Sequence, residues 1–384
     1  MRKLLFLVIM TSIFFTSCKK DAAVVPDNGE KVLSKLAVGI NLSNWFNDYS
    51  DQAQFAGRYN NNHFTQIKNA GFTYVRLPVG ASVISDPNNL SVLNATNLGH
   101  IDQAVKNIIA AGLSVSIVLH SNSVPLETKL ATDPLSRLAF RQFWKNLAAH
   151  FKQYDTTQVV FEIFNEPHIG ATQGAAGIDR NWWAPFQEQI IQSIREAAPD
   201  HYIIAGAENW NNWYDLTQLT PYTAKNIIYT FHFYDPFTFT HQGADWSGSP
   251  YDQISQIPYP GTPENMAPLV AAAPTQDLKF FLQWYGTQRY NADSVNNAVK
   301  QVYNWSNAHR VPVICNEFGI YKPYAPAESR LRYLQEFRTT VNQYKIGWAV
   351  WDYDEGFGMA SYPTAIRTGV PEWDAGVLTA LGLQ

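Results

Sequence analysis

Eight short apolar segments, each followed by a longer polar or amphipathic stretch, constrain the fold of this chain more than any other feature. Most are nearly continuous apolar rows, which is the pattern of parallel strands covered on both faces. The segments occupy residues 37–42, 73–78, 113–120, 158–165, 201–206, 226–233, 311–317 and 346–352. The clearest helical patterns between them occupy residues 97–112, 136–154, 181–198, 294–310 and 327–345. Eight β-then-α units in a chain of 384 residues predict an α/β fold, a single (β/α)8 TIM barrel.

One connection is much longer than the others. Residues 236–290, after the sixth predicted strand, are rich in Pro, Gly, Gln and aromatic residues. A connection of this length in a compact domain is usually functional or forms a small subdomain. We expect it to form a lid or wall beside the barrel mouth. A doubly wound open sheet is the alternative fold, but no G-x-G-x-x-G loop follows the first strand.

The first residues have the pattern of an export signal. Two basic residues precede an apolar stretch of about a dozen residues, which is too short to span a membrane. Small residues immediately before Cys18 resemble the signal of bacterial lipoproteins, in which this cysteine becomes the lipidated first residue. Phe15 departs from that pattern, and an ordinary cleaved signal is the alternative.

These observations predict three segments. They are a signal peptide at residues 1–17, a lipidated Cys18 with a polar tether to residue 36, and a catalytic domain at residues 37–384. The protein is then expected to be exported and held at the outer membrane by lipid alone, in the periplasm or at the cell surface, or else to be secreted. With Cys18 lipidated, Cys315 has no partner for a disulfide. We expect a monomer.

Composition narrows the class of partner. Aromatic residues make up 14% of the chain, with 12 Trp and 20 Tyr, and flat rings with one polar edge suit stacking against sugar faces. The formal charge of −4 without basic clusters argues against a nucleic-acid partner. A carbohydrate partner is therefore favoured.

Polar and aromatic side chains collect at the C-terminal ends of the predicted strands, which form the active face of such a barrel. Each could be structural when taken alone, but packing does not explain why they share one face. No His-x-His pair occurs among the histidines at the strand ends, so we expect no metal centre, and we expect no cofactor. The residues are Arg76, His120, Asn165, Glu166, Glu208, Asn209, Trp210, His232, Phe233, Tyr234, Glu317 and Trp351.

Two of these residues are carboxylates at the fourth and seventh strand ends. Glycoside hydrolysis needs one acid to protonate the leaving oxygen and a second carboxylate to attack or to activate water. Glu166 and Glu317 fit these parts, with Glu162 and Glu208 as competing candidates. Strand alternation predicts Glu162, Phe164 and Glu166 on one face, so Glu162 should lie deeper and stabilise barrel groups.

Six motifs together resemble the cellulase-type glycoside hydrolases of family 5. The resemblance covers nearly the whole chain after residue 36, with the motifs in the family's order and spacing. It implies Glu166 as general acid/base and Glu317 as nucleophile of a retaining enzyme. The motifs are GINLS (39–43), VRLP (75–78), FEIFNEPH (161–168), HFYDP (232–236), CNEFG (315–319) and WAVWDY (348–353).

The same resemblance implies roles for six further residues. Asn165 would contact the sugar 2-hydroxyl, while Arg76 and Tyr234 would lie against the nucleophile. His120 and His232 would line the reacting subsite, and Trp351 would stack under its sugar.

Two sequence features bear on substrate specificity. The stretch FTFTHQGADW followed by IPYPG resembles endoglucanases with an insertion after the sixth strand, which favours a β-1,4-glucan substrate. Residues 121–123 depart from the second histidine or glycine-bearing turn that many relatives have after the third strand. Mannan, xyloglucan, mixed-linkage glucan and β-1,3-glucan remain alternative substrates, and endo and exo cleavage are both open. A glycan-binding lipoprotein without activity is a further alternative, although binding alone would not require both acids.

Overall fold

The computed structural model describes residues 27–47, 52–86, 89–121, 124–169, 178–179, 181–362 and 370–384. Eight parallel strands form a closed barrel in which β8 pairs with β1. The predicted (β/α)8 barrel is confirmed. The strands are β1 (Val38–Asn41), β2 (Tyr74–Gly80), β3 (Ser114–His120), β4 (Val159–Glu162), β5 (Ile203–Gly206), β6 (Ile227–Phe233), β7 (Val313–Phe318) and β8 (Gly347–Val350).

Helices surround the barrel, and the five predicted from periodicity all occur, with ends within three residues of those expected. Gly112, two residues after one of them ends, has φ 80°, the left-handed conformation that commonly terminates helices. No described helix is both long and apolar enough to cross a membrane. The helices are Asp27–Lys35, Asn61–Asn69, Ala81–Ile84, Ala95–Ala110, Val124–Thr132, Pro134–Phe151, Trp183–Ala197, Glu208–Asn211, Trp213–Gln218, Phe237–Thr240, Pro263–Ala272, Gln276–Gln288, Ala292–His309, Ala327–Gln343 and Ala375–Leu381.

Two short antiparallel ribbons complete the secondary structure. One pairs Ser85–Asp86 with Asn89–Leu93, and the other pairs Ala360–Ser361 with Glu372–Trp373. The barrel strands, unlike these ribbons, are buried on both faces, as their apolar rows predict. Every residue of β2 and β3, for example, is buried.

The N-terminal helix Asp27–Lys35 changes the interpretation of the predicted tether. Val32 and Leu36 are four residues apart, share one side of the chain, and are fully buried against Tyr74 and other residues near the start of the strands. Gly347 allows this approach, because a Cβ atom there would lie 2.3 Å from the Leu36 carbonyl oxygen. Lysines around the two apolar residues give this segment a polar composition, which is why it read as a tether. From Asp27 onward the chain is part of the barrel, and residues 1–26, with the predicted signal and Cys18, lie outside the described residues.

The long connection after β6 forms a small subdomain. It contains a short helix, Phe237–Thr240, two single 3₁₀ turns, and the helices Pro263–Ala272 and Gln276–Gln288, which pack on each other. The Tyr259 hydroxyl donates to Glu336 at 2.9 Å and so joins the subdomain to the barrel helix Ala327–Gln343. Its first turns lie at the barrel mouth and form part of the cleft wall.

Candidate active site

A cleft of ≈ 1070 Å³ opens at the C-terminal ends of the strands. Nine of the twelve polar and aromatic residues predicted at the strand ends line it, drawn from the ends of β3 to β8. Arg76 is fully buried beneath, in contact with Glu317. The nine are His120, Asn165, Glu166, Asn209, Trp210, His232, Tyr234, Glu317 and Trp351.

The chain leaves β4 earlier than predicted. The strand ends at Glu162, so the alternation of side chains does not continue to Glu166. Phe164 instead packs among the outer helices, 5.3 Å from the ring of Trp183, and the prediction that it shares a face with the two glutamates is wrong. Glu166 has φ 51°, a left-handed conformation that is uncommon outside glycine and concentrates at functional sites.

Arg76 organises the floor of the site. Its guanidinium makes two hydrogen bonds to Glu162, at 2.9 and 2.6 Å, and donates to the side-chain oxygens of Asn41 and Asn165, both at 2.9 Å. It also donates to Oε1 of Glu317. Burial opposes the charge, but the neighbouring carboxylates of Glu162 and Glu317 raise the pKa of Arg76 above its usual value. A buried cation fully paired in this way is fixed in place, and Glu162 lies deep in the barrel as its partner.

Glu317 is held by donors on both oxygens. Arg76 contacts Oε1, the Tyr234 hydroxyl donates to Oε2 at 3.0 Å, and Nδ1 of His232 is 3.5 Å from Oε2. Burial raises the pKa of Glu317, and Glu166 adds to that effect, while His232 and Arg76 lower it. The donors therefore favour the ionised form against burial and fix its orientation.

Glu166 differs from Glu317 in its surroundings. Its side chain keeps 26% exposure toward the cleft, against 6% for Glu317. Desolvation raises the pKa of Glu166 to about 7, although Arg76 and His168 lower it. Because their surroundings differ, one carboxyl can be protonated and act as an acid while the other is ionised.

His232 connects the two carboxyls. Its Nδ1 lies 2.7 Å from Oε1 of Glu166, and the Asn211 amide nitrogen lies 3.4 Å from Nε2. Burial lowers the pKa of His232 to about 4, so the imidazole is neutral near pH 7. Because Asn211 donates to Nε2, the ring proton resides on Nδ1 and is donated to Glu166.

Glu166, His232 and Glu317 also form a group with the geometry to contact a cation. One ligand atom from each lies within 4.8 Å of the others. A His-x-His pattern does not identify this group, because its members come from three different strand ends. Arg76 and Tyr234 already contact both oxygens of Glu317, and the guanidinium charge next to the site opposes a metal ion.

His120 and Trp351 form a flat part of the cleft lining. Their rings are stacked with centroids 6.2 Å apart and planes inclined by 19°. Burial lowers the pKa of His120 well below its usual value. Its Nε2 is buried and makes no hydrogen bond within the described part of the chain.

Two further glutamates, Glu208 and Glu127, make structural contacts outside the pair Glu166 and Glu317. Glu208, a competing candidate, begins a short helix and accepts a hydrogen bond from Trp182 at 2.7 Å; it is not among the residues that line the cleft. Glu127, which carried no signal in the sequence, is buried and accepts from the backbone N–H groups of His168 and Ile169. It therefore supports the loop that carries Glu166.

Sequence reasoning also missed Asp352, which lines the cleft directly after Trp351. Its Oδ2 accepts from the Ser43 hydroxyl and its Oδ1 from the Glu355 backbone N–H. Burial raises the pKa of Asp352 to about 7, with Ser43 acting in the opposite direction. Its position next to the predicted Trp351 was the available signal.

Comparisons with known proteins agree with this geometry. The family model described as cellulase (glycosyl hydrolase family 5) matches residues 27–356. Endoglucanase 3 of Fibrobacter succinogenes is 27% identical over 343 residues, covering 86% of this chain, which spans about half (51%) of that relative. Endoglucanase C of Acetivibrio thermocellus is 26% identical over 324 residues, covering 82% of this chain and 90% of the relative. A hyperthermophilic endo-β-1,4-glucanase, solved in complex with substrate, is 25% identical with a TM-score of 0.71, covering 92% of this chain and 98% of its own.

Proposed function

The chain belongs to glycosyl hydrolase family 5, and on that premise we propose that it cleaves β-1,4-glucan with retention of configuration. Glu166 is the general acid/base and Glu317 the nucleophile of this proposal. The observation that carries it is the close approach of the two carboxyls, one oxygen of each lying within 4.8 Å of the other. The endoglucanase relatives support the choice of glucan.

The separation of the carboxyls decides between two mechanisms. Inverting enzymes keep their carboxyls about 6.5–9.5 Å apart to admit a water, whereas retaining enzymes place them about 5–5.5 Å apart. The approach of one oxygen of Glu166 to within 4.8 Å of one oxygen of Glu317 supports the shorter spacing of retaining enzymes. In this proposal Glu317 attacks the anomeric carbon directly.

The protonation states of the site residues are consistent with two successive displacements at the anomeric carbon. Neutral His232 donates to Oε1 of Glu166, so the acid proton is carried on the other oxygen. In the first step Glu166 protonates the glycosidic oxygen while Glu317 displaces it and forms a glycosyl ester. Loss of the negative charge on Glu317 favours ionisation of Glu166. In the second step Glu166 takes a proton from water, the water oxygen bonds to the anomeric carbon, and Glu317 leaves.

The remaining site residues position the reactants. Arg76 and Tyr234 keep Glu317 ionised and oriented. The side-chain oxygen of Asn165 is taken by Arg76, which leaves its amide N–H groups for a sugar 2-hydroxyl. Trp351, stacked beside His120, offers a flat ring under the reacting sugar.

Product stereochemistry tests the mechanism directly. Proton NMR of the first products should show the β-anomer. Glu317→Gln should abolish turnover, whereas Glu166→Gln should still be labelled, as the glycosyl ester, by substrates whose leaving group needs no proton. Glu208→Gln, a carboxylate held outside the cleft by Trp182, is the matched control and should retain activity. An α-anomer as first product would refute the nucleophile assignment.

A polysaccharide panel tests the substrate. Reducing ends released from cellulose derivatives, mixed-linkage glucan, mannan, xylan and xyloglucan should be most abundant for β-1,4-linked glucan. A higher rate on mannan or xyloglucan would keep the mechanism and replace the substrate. Binding without release on any member would favour a glycan-binding protein.

Export and anchoring at Cys18 remain part of the proposal. They rest on the sequence of residues 1–18, with its basic start, apolar stretch and small residues before the cysteine.

A further inference from the structure

The insertion helix Gln276–Gln288 exposes two large rings on its outer face. Phe280 is 69% exposed and Trp284 is 46% exposed. They are four residues apart and so lie on the same side of the helix. The opposite side buries its own apolar residues, including Leu278 and Leu282, so the two rings are not needed to hold the helix in place.

A continuous series of ring contacts connects this face to the cleft. Trp284 contacts Phe281 at 5.8 Å between centroids, and Phe281 meets Tyr251 edge to face at 5.3 Å. Tyr251 in turn meets Phe237 at 5.0 Å. Both Tyr251 and Phe237 line the cleft.

The inner end of the series lies beside the reaction centre. Phe237 stacks on His241 at 4.0 Å, and His241 meets the ring of Tyr234 at 4.9 Å. Tyr234 donates to Glu317. The exposed rings are therefore linked to the cleft lining by a series of packed rings.

We propose that Phe237, Tyr251, Phe281, Trp284 and Phe280, here called the aromatic track, form an accessory binding surface for the polysaccharide chain as it extends from the cleft. The proposal rests on the proposed glucanase function. Aromatic faces bind the apolar C–H faces of sugar rings and leave the hydroxyl groups in water. A neutral β-glucan suits this surface, since its contacts are made by rings and need no charged partner.

Two substrates of different length separate the aromatic track from the catalytic centre. An aryl β-cellotrioside fills the cleft alone, whereas a long soluble mixed-linkage β-glucan can also reach the track. For Phe280→Ala/Trp284→Ala, we expect unchanged kcat/KM on the short substrate and a KM on the long glucan raised about fivefold. Retardation in a gel containing the same glucan should weaken to a similar degree. Tyr303→Ala, an exposed ring on the helix Ala292–His309, lines a groove with Gly347 at the opposite end of the barrel and is the matched control.

Several results would overturn the proposal. Equal losses on both substrates would show that the rings only maintain the cleft. No change on the long glucan would show that the chain does not contact the track. A dimer that the double variant converts to a monomer, with the KM unchanged, would identify a second copy as the occupant. If the unmodified enzyme does not hydrolyse the aryl cellotrioside, the proposed function fails, and gel retardation alone then decides whether the track binds glucan.

Discussion

Replacing Tyr234 by phenylalanine removes one hydroxyl and keeps the ring. That hydroxyl donates to Oε2 of Glu317 at 3.0 Å. A hydrogen bond to a charged group contributes about 1.5–3 kcal/mol. If the bond is made to the attacking carboxylate, its loss should lower turnover roughly 10- to 150-fold, at about 1.36 kcal/mol per tenfold change. Substrate binding should change much less, because Tyr234 acts on Glu317 and not on the sugar.

The pH dependence gives an independent readout. The hydroxyl favours the ionised form of Glu317, so its removal raises the pKa of that carboxyl further. Because Glu317 must be ionised to attack, the acidic limb of the rate profile should move to higher pH for Tyr234→Phe. Steady-state kinetics on an aryl cellotrioside between pH 4 and pH 8 would measure both effects.

A second tyrosine provides the control. Tyr259 is buried and donates to a carboxylate, Glu336, at 2.9 Å, but lies in the insertion away from Glu317. Tyr259→Phe removes the same group from the same type of bond and should leave the acidic limb in place. Full turnover with an unmoved acidic limb for Tyr234→Phe would refute the reasoning and reduce Tyr234 to a packing residue.

Glu166, Asp352 and Cys18 each give a further testable prediction. Because Glu166 must be protonated in the first step and desolvation raises its pKa to about 7, kcat/KM should fall above about pH 7; a flat profile to pH 9 would exclude it as the acid. Burial raises the pKa of Asp352 in the folded state to about 7, above the 3.8 of a free carboxyl. Ionisation is therefore disfavoured in the folded state, and Asp352 lowers the free energy of unfolding increasingly as pH rises between these two values. The melting temperature of Asp352→Asn, relative to the unmodified protein, should therefore rise from pH 4 to pH 8, and a constant difference would contradict that pKa. If Cys18 is lipidated, the full-length protein should partition with membranes and Cys18→Ala should not; soluble export of both would exclude the anchor.

The barrel could be predicted from the sequence because its signal is repeated eight times. The predicted ends of seven strands lie within two residues of the observed ends, since each apolar row stops where the strand leaves its cover of helices. The predicted end of β4 lies three residues beyond the observed one. The residues after Glu162 stay apolar but pack outward, as Phe164 does against Trp183, and hydrophobicity does not distinguish these two surroundings.

The candidate site was predictable in its members but not in its contacts. The chemistry of a glycosidase requires two acids, and strand ends are where they must lie, so Glu166 and Glu317 could be selected. The pairing of Arg76 with Glu162, and the support of the Glu166 loop by Glu127, depend on which side chains meet across the barrel. Such contacts join residues far apart in the chain and leave no local pattern.

The helix Asp27–Lys35 determines where on the barrel a lipid anchor would be attached. It packs under the barrel floor, at the end opposite the cleft. Nine residue steps separate Cys18 from Asp27, which limits the distance between them to roughly 30 Å. A protein held by lipid at Cys18 would thus be attached at the end of the barrel opposite its cleft. The anchor would leave the cleft open to polymers that arrive from the aqueous phase.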